Sequence, residues 1–360
     1  MGLKIVPIFI PHYGCPHACV FCNQTRITGQ CSIPDPAAVN DIIEEYLQTI
    51  PVSRERQVEV AFYGGSFTAL EPELQEAYLR VVQPWLRKGA VDGIRISTRP
   101  DAISSGILDL LANYGVRVIE LGVQSLDVEV LRQSGRGYTP REVWNAVRLI
   151  QDRNYCLGIQ LMLGLPGDTG EKDLATARQV VEMRPAIARL YPALVIKGTR
   201  LAQMYETGAY RPLGLEEAVN ISADMFMMLE NAGIKVIRMG LQPTHELMGG
   251  DSLLAGPFHP AYGELVESEV FWRQAQMAIM AYGCLPAESL CIFVNEKDVS
   301  KMTGLKGRNR QRLQEFLAGE VNIKGISSAG RNWVGIGRVK HREPQFILSR
   351  EQFVNDLLKM

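Results

Sequence analysis

The chain has 360 residues, 46% apolar and 21% charged, with a net charge of −1. This composition is that of an ordinary globular protein of about two domains, and no apolar run approaches the roughly 18 residues of a membrane span. The near-neutral balance excludes a whole-molecule pull toward nucleic acid or anionic lipid, so any such attraction must be local.

The first predicted strand is Leu3–Ile10. Its apolar run is short, lacks a small-residue cleavage site and leads straight into cysteines, so it does not read as a secretory signal. Further strands are predicted at Val58–Tyr63, Gly93–Thr98, Arg117–Gly122, Leu157–Leu163 and Leu190–Ile196. Amphipathic segments near 36–48, 72–88, 101–114, 140–153, 170–183 and 215–232 alternate with them. Six βα repeats predict an α/β fold: a partial, TIM-like (βα)6 barrel with a parallel sheet. Lys235–Leu241 is a candidate seventh strand. Most of the strands are apolar on both sides, which predicts cover on both sheet faces.

Beyond residue 241 the pattern turns irregular, with Gly249, Gly250, Gly256, Pro257 and Pro260, and then a helix near 264–281. The tail reads strand 289–294, helix 297–302, the Gly304–Gly307 turn, helix 308–317, strands 321–324 and 333–339, and helix 351–360. The expected organisation is a core over 1–245, a connecting segment over 246–285 and a small α+β C-terminal domain over 286–360.

Seven cysteines, an odd number, argue against a disulfide framework and for the reducing cytoplasm. Cys15, Cys19 and Cys22 form a C-x3-C-x2-C loop; Cys31, Cys156, Cys284 and Cys291 are scattered. A cubane iron–sulfur cluster usually takes four cysteines, so three on one loop leave one iron open to bind and reduce a ligand. Zinc is the competing reading, with His12 or His17 within reach as a fourth ligand. Polar and glycine-rich stretches lie at later strand ends: Gly64-Gly65-Ser66, Gln124-Ser125 and Gly164-Leu165-Pro166-Gly167. In a barrel these ends converge on the catalytic face.

With Phe21 just before the last cysteine, this loop resembles that of the radical S-adenosylmethionine (SAM) superfamily. Phe62–Phe67, Ser97–Asp101, Glu120–Ser125 and Gly164–Gly167 are similar to its successive strand ends, and the resemblance covers roughly residues 3–245. It implies a [4Fe–4S] cluster on Cys15, Cys19 and Cys22 that reduces SAM to a 5′-deoxyadenosyl radical. Gly64, Gly65 and Ser66 then match the motif that binds the SAM amino group. Ser66 replaces the usual acidic residue there, so its contact would be made by backbone or hydroxyl. Ser97, Gln124 and Gln160 match strand-end positions that touch SAM. Arg136 matches a guanidinium that pairs with the SAM carboxylate. Phe21 and Gly164–Gly167 would flank the adenine. From the residues alone, Gly64 and Gly65 also read as a turn, Gln124 and Gln160 as satisfied interior groups, and Arg136 as a salt-bridge residue. Arg99, Tyr191 and Lys197 are candidates for the substrate side or for structural roles.

Tyr191–Thr199 and Arg132–Gly137 look closer to the radical SAM domain of the Elongator catalytic subunit, a tRNA wobble-uridine modification enzyme. No segment resembles that subunit's acetyltransferase domain, and the cysteine spacing is the ordinary superfamily one, so acetyl-CoA use is not expected. Residues Gly122–Ser125 also resemble oxygen-independent coproporphyrinogen oxidases. Gln24 stands where those enzymes carry a further cysteine, which argues against porphyrin chemistry.

The order of elements in the tail resembles a KH module, whose GxxG loop clamps single-stranded nucleic acid. Gly304, Lys306, Gly307 and Arg308 would make that loop, with Arg310 and Arg312 beyond it. A small α+β lid with a solvated basic helix is the alternative. Cys284 and Cys291 are read as buried thiols, and His259 as a packing residue. The expected partners are RNA, foremost tRNA, and a one-electron donor such as flavodoxin or ferredoxin, with no membrane. Radical chemistry on a metabolite or a protein, and a non-enzymatic iron–sulfur or zinc protein, are the rival readings.

Overall fold

The computed structural model describes residues 2–11, 14–15, 19–23, 26, 32–51, 56–249, 252–283 and 289–357. His12, His17, Gln24, Cys31 and Cys284 lie outside the described residues. The chain divides into two units: Met1–Gly214 with Ile234–Phe258, and Leu215–Gly233 with His259–Met360.

The elements up to residue 192 follow the βα order: β1 (Lys4–Ile10), α1 (Pro36–Thr49), β2 (Val58–Gly64), α2 (Pro72–Arg87), β3 (Gly93–Thr98), α3 (Ser105–Asn113), β4 (Val116–Gln124), α4 (Val128–Gln133), α5 (Pro140–Gln151), β5 (Cys156–Leu163), α6 (Gly170–Met183) and β6 (Ile187–Pro192). Then come β7 (Val195–Ile196), α7 (Arg200–Glu206), α8 (Leu215–Asn231), β8 (Lys235–Met239), α9 (His245–Met248) and β9 (Leu253–Ala255). Helix starts are marked in the sequence by proline in the first turn (Pro36, Pro72, Pro140) and by capping side chains such as Asp35, Asp127 and Thr169.

Seven strands form one parallel sheet in the order β1-β2-β3-β4-β5-β6-β8. Strands β1 and β8 are its edges, so the sheet is an open half-barrel, and the candidate seventh strand is part of it. The predicted strand Leu190–Ile196 is in fact two. Strand β6 ends at Pro192, whose nitrogen has no hydrogen to extend a ladder, and β7 turns to pair antiparallel with β9. That pairing is why residues 253–255 belong to the first unit instead of a connecting segment. Helix α8 counts as a barrel crossover by chain order but groups with the second unit.

The expectation that both sheet faces are covered holds on β3 and β4, where nearly every residue is buried, but not on β5 and β6. On β5 and β6, Leu157, Ile159, Leu161, Leu163, Ala188 and Leu190 are buried, while Gln160, Met162, Arg189 and Tyr191 alternate with them and are half-buried. One face is packed apolar core. The other, inner face is polar and partly open.

The second unit adds α10 (Tyr262–Tyr282), β10 (Leu290–Asn295), α11 (Val299–Thr303), α12 (Arg308–Leu317), β11 (Val321–Ile326), β12 (Trp333–Arg338), β13 (Phe346–Ser349) and α13 (Arg350–Leu357) to α8. Its mixed sheet has the order β11-β10-β12-β13, with β10 and β11 parallel. Helices α8 and α10 are tied by Ser222 Oγ to Tyr262 OH (2.8 Å) and by Arg273 to Asp224 (2.5 Å). These ties place the helix near 264–281 in this unit, not in a linker. Cys291 is buried in β10. Strand β13, absent from the predicted elements, is a four-residue edge strand, too short to show periodicity.

Candidate active site

Of the cysteine loop, Gly14 lies against the segment that follows β2. Gly14 has φ +75°, and a Cβ there would stand 2.5 Å from the Ser66 carbonyl oxygen, so only glycine fits. Burial, and then the neighbouring Cys19, push the Cys15 thiol up, while Arg99 and Arg136 pull against that shift. Val20 anchors the middle of the loop: its N–H donates to Ser134 O (3.0 Å), and its carbonyl accepts from Leu201 N (2.8 Å). Phe21 packs on two apolar clusters, one with Val130, Leu165 and Ala193, the other with Val20, Val195 and Leu201. Cys15, Cys19 and Cys22 are each half-buried, and among the described residues they do not gather into one three-ligand set.

Two buried guanidiniums face the loop. Arg136 Nη1 donates to Cys19 Sγ at 3.1 Å, and Arg99 Nη1 lies 3.9 Å from the same sulfur. Arg136 also donates through Nε to Tyr138 OH (2.8 Å) and through Nη2 to Gly122 O. It is 6% exposed and therefore no surface salt-bridge residue; the structure turns it onto Cys19 and the β4 end. Arg99 clasps Asp101 with two bonds of 2.9 Å and donates to the Arg136 carbonyl.

The strand ends carry the remaining candidates. Gly64, the last residue of β2, has φ +102°, and the Gly65 N–H donates across to Ile10 O (2.7 Å), which extends the β1–β2 pairing. The Ser66 hydroxyl bonds Thr98 Oγ1 (2.9 Å) and accepts from Arg99 N (3.2 Å), and its carbonyl accepts from Ala69 N (3.0 Å). Gln124 stands out. It is a non-glycine residue at φ +67°, it lies at a bulge in β4, and its Oε1 is buried without a partner. Backbone strain and an orphaned acceptor at one side chain are marks of a binding position. Gly164 and Gly167 both have positive φ, and Leu165 between them packs near Phe21.

Ser97 and Gln160 belong to a network on the inner face. Gln160 Nε2 donates to Ser97 Oγ (3.2 Å) and to Glu120 Oε2 (3.0 Å). Glu120 also accepts from Arg95 Nη1 (2.8 Å) and Arg189 Nη2 (2.9 Å), and Arg95 reaches Glu59 (2.8 Å). Burial works against the Glu120 carboxylate, but Arg189, Gln160 and Arg95 outweigh it and hold its pKa below the ordinary value. The predicted site did not include Glu59, Arg95, Glu120, Arg189 or Tyr63. Their signal was a charge or phenol at alternate positions of otherwise apolar strands. Tyr191 lies on this face; the Lys197 side chain is exposed.

In the second unit Gly304, Lys306 and Gly307 all have positive φ. Most nearby cations are paired: Lys301 with Glu267, Arg308 with Glu216 (3.2 Å), and Arg312 with Glu269 (2.6 Å) while lying over Trp272. Lys306 and Arg310 are exposed and have no ion-pair partner among the described residues. His259 accepts from Ala261 N (3.1 Å), a local turn role.

Residues 9–180 match the model of the Radical SAM superfamily, and residues 185–271 match the Radical SAM C-terminal domain. A tRNA uridine(34) acetyltransferase of Methanocaldococcus infernus is 25% identical over 258 residues, covering 61% of this chain and 48% of that protein. Elongator complex protein 3 of Homo sapiens is 26% identical over 275 residues, covering 63% and 50%. The chain thus spans about half the length of these curated relatives. The archaeal Methanocaldococcus infernus Elp3 with its N-terminus deleted has the same fold, with a TM-score of 0.60 at 22% identity over 79% of this chain and 68% of that one. Superfamily members bind a [4Fe–4S] cluster and SAM. The chemistry of the donor set fits both, although the described thiols do not converge on one point: three thiols on one loop, the Cys19 sulfur bonded by Arg136, and an orphaned acceptor at Gln124. Because the family's model covers the strands that carry this loop and its cations, the chain belongs to the radical SAM superfamily.

Proposed function

We propose that this radical SAM enzyme modifies RNA, with tRNA as its substrate class. The observation that carries the catalytic half is the Cys19 sulfur held by Arg136 at the mouth of a half-barrel, next to the strained and unsatisfied Gln124. Cys15, Cys19 and Cys22 would hold the cluster. The backbone of Gly64–Ser66, Gln124, Phe21 and Gly164–Gly167 would hold SAM. When bound, a cluster with one open iron supplies the electron that splits SAM into methionine and a 5′-deoxyadenosyl radical. The chain's own work is positional. Arg136 and Arg99 fix the sulfur, Gln124 Oε1 accepts a ligand donor, and the apolar clusters around Phe21 exclude water.

The RNA half is supported by the relatives, whose names specify tRNA uridine 34, and by exposed Lys306 and Arg310 beside Gly304 and Gly307. The electron comes from a flavodoxin- or ferredoxin-type donor, and the working compartment is the cytoplasm. No described helix is long and apolar enough to cross a membrane.

Anaerobic reconstitution is expected to load about four irons per chain, the cubane stoichiometry, and to yield 5′-deoxyadenosine from SAM under dithionite. Cys19→Ala is expected to lose both. Zinc in place of iron would overturn the reading. For the substrate, tRNA nucleosides from a deletion strain are expected to lack one modification present in the parent; an unchanged profile removes tRNA.

A further inference from the structure

The inner face of the half-barrel has a floor whose charges cancel at its centre. Glu120 is 1% exposed and bridges Arg95 and Arg189, while Glu59 takes the other side of Arg95. Two guanidiniums meet two carboxylates. Arg238, beside Arg189 in the strand register, has no carboxylate partner among the described residues and adds a positive charge only toward the sheet edge.

Arg189 donates from Nη2 to Tyr63 OH (2.9 Å) and from Nη1 to Tyr191 OH (3.3 Å). Each phenol oxygen is therefore an acceptor toward the guanidinium, and its own proton is directed elsewhere. No described group receives either proton. Burial, and then Glu120, push Tyr63 up to about 12, and burial also pushes Tyr191 up, so both stay protonated donors. Gln160 spends its amide nitrogen on Ser97 and Glu120, which leaves its carbonyl oxygen as an acceptor. Phe9, with its ring centroid 6.2 Å from that of Tyr63, adds an aromatic wall. Phe9, Tyr63, Gln160, Arg189 and Tyr191 are half-buried, while Glu120 and Arg95 beneath them are buried.

We propose that Tyr63 and Tyr191, held by Arg189, are specificity-determining donors for a neutral ring carrying carbonyl acceptors and an N–H, with Gln160 as the matching acceptor. This rests on the reading that the substrate is RNA and narrows it to a nucleobase of that chemistry. Glu120 acts through Arg189 as a positioning residue. By cancelling the buried charge, it keeps the floor from preferring an anionic ring.

The test uses the full chain without cofactors and two probes, uridine and orotidine, whose base carries a carboxylate, in equilibrium dialysis. Circular dichroism and thermal melts report folding of each variant. Tyr63→Phe combined with Tyr191→Phe is expected to weaken uridine binding about tenfold, the loss of two neutral hydrogen bonds. Glu120→Gln leaves a guanidinium uncompensated and is expected to shift preference toward orotidine about tenfold relative to wild type. Unchanged uridine binding in the double variant overturns the proposal. So does an unshifted preference in folded Glu120→Gln protein, or the absence of saturable uridine binding by wild type. Cleavage of SAM by reconstituted wild type is scored separately. If it fails while uridine binding holds, the radical reading falls and the floor stands.

Discussion

Cys19 draws its partners from beyond the ends of β3 and β4, and single residues near the strand ends carry sharp consequences. Gly14 is one. Its positive φ and the 2.5 Å approach to Ser66 O leave no room for a methyl group. Gly14→Ala is expected to cost about 2–4 kcal/mol in a denaturant titration and to lower iron content on reconstitution. Asp173 is another. It is buried against Asp168, and each has one buried carboxyl oxygen without a conventional partner. One proton shared between the two acids satisfies both oxygens. Burial, and then the charge of Asp168, push Asp173 up to about 10, and burial also raises Asp168. In the unfolded chain Asp173 loses its proton near its ordinary value of 3.8, whereas the folded chain keeps it. Stability therefore falls as pH rises through that window. Asp173→Asn keeps a donor for Asp168 without titrating. Its melting temperature is expected to exceed that of wild type at about pH 8, and its pH dependence to be flatter. Melts across the pH range check both.

At the level of elements, the six-residue helix α4 links the end of β4 to the cysteine loop. Asp127 caps it by accepting from Val130 N (3.0 Å) and pairs with Lys172 (3.2 Å); just past its end, Ser134 O holds Val20 of the cysteine loop. Asp127→Ala is expected to cost about 1 kcal/mol, the usual value of a lost N-cap, and to speed iron loss from reconstituted protein to a chelator. Release kinetics unchanged from wild type would separate α4 from the loop. Helices α4 and α7 were invisible to pattern reading because six or seven residues hold too few turns to show an apolar stripe. The long helices were legible: α6 spans the predicted residues, and α5 differs only at its C-terminal end, because their caps and periodicity agree. Strand β3 was likewise read to the residue.

For the whole molecule, near-neutral charge means that RNA affinity must come from local cations. Three cations around Gly304–Gly307 are already paired, which singles out Lys306 and Arg310. Lys306→Glu with Arg310→Glu is expected to weaken tRNA binding and to reduce the slope of log affinity against log salt by about 2. Filter binding over a salt series checks it; an unaltered slope removes this loop from the interface.

The sequence alone determined the parallel βα order and the cysteine loop. Strand periodicity and thiol spacing are local properties that a linear reading can register. Glycine positions at the strand ends were visible for the same reason. Only the tertiary structure decided that Arg136 and Arg99 converge on one sulfur, that residues 253–255 return to pair with β7, and that Glu120 neutralises two arginines on one face. These depend on distances between residues dozens of positions apart, which arise only when the sheet assembles in register.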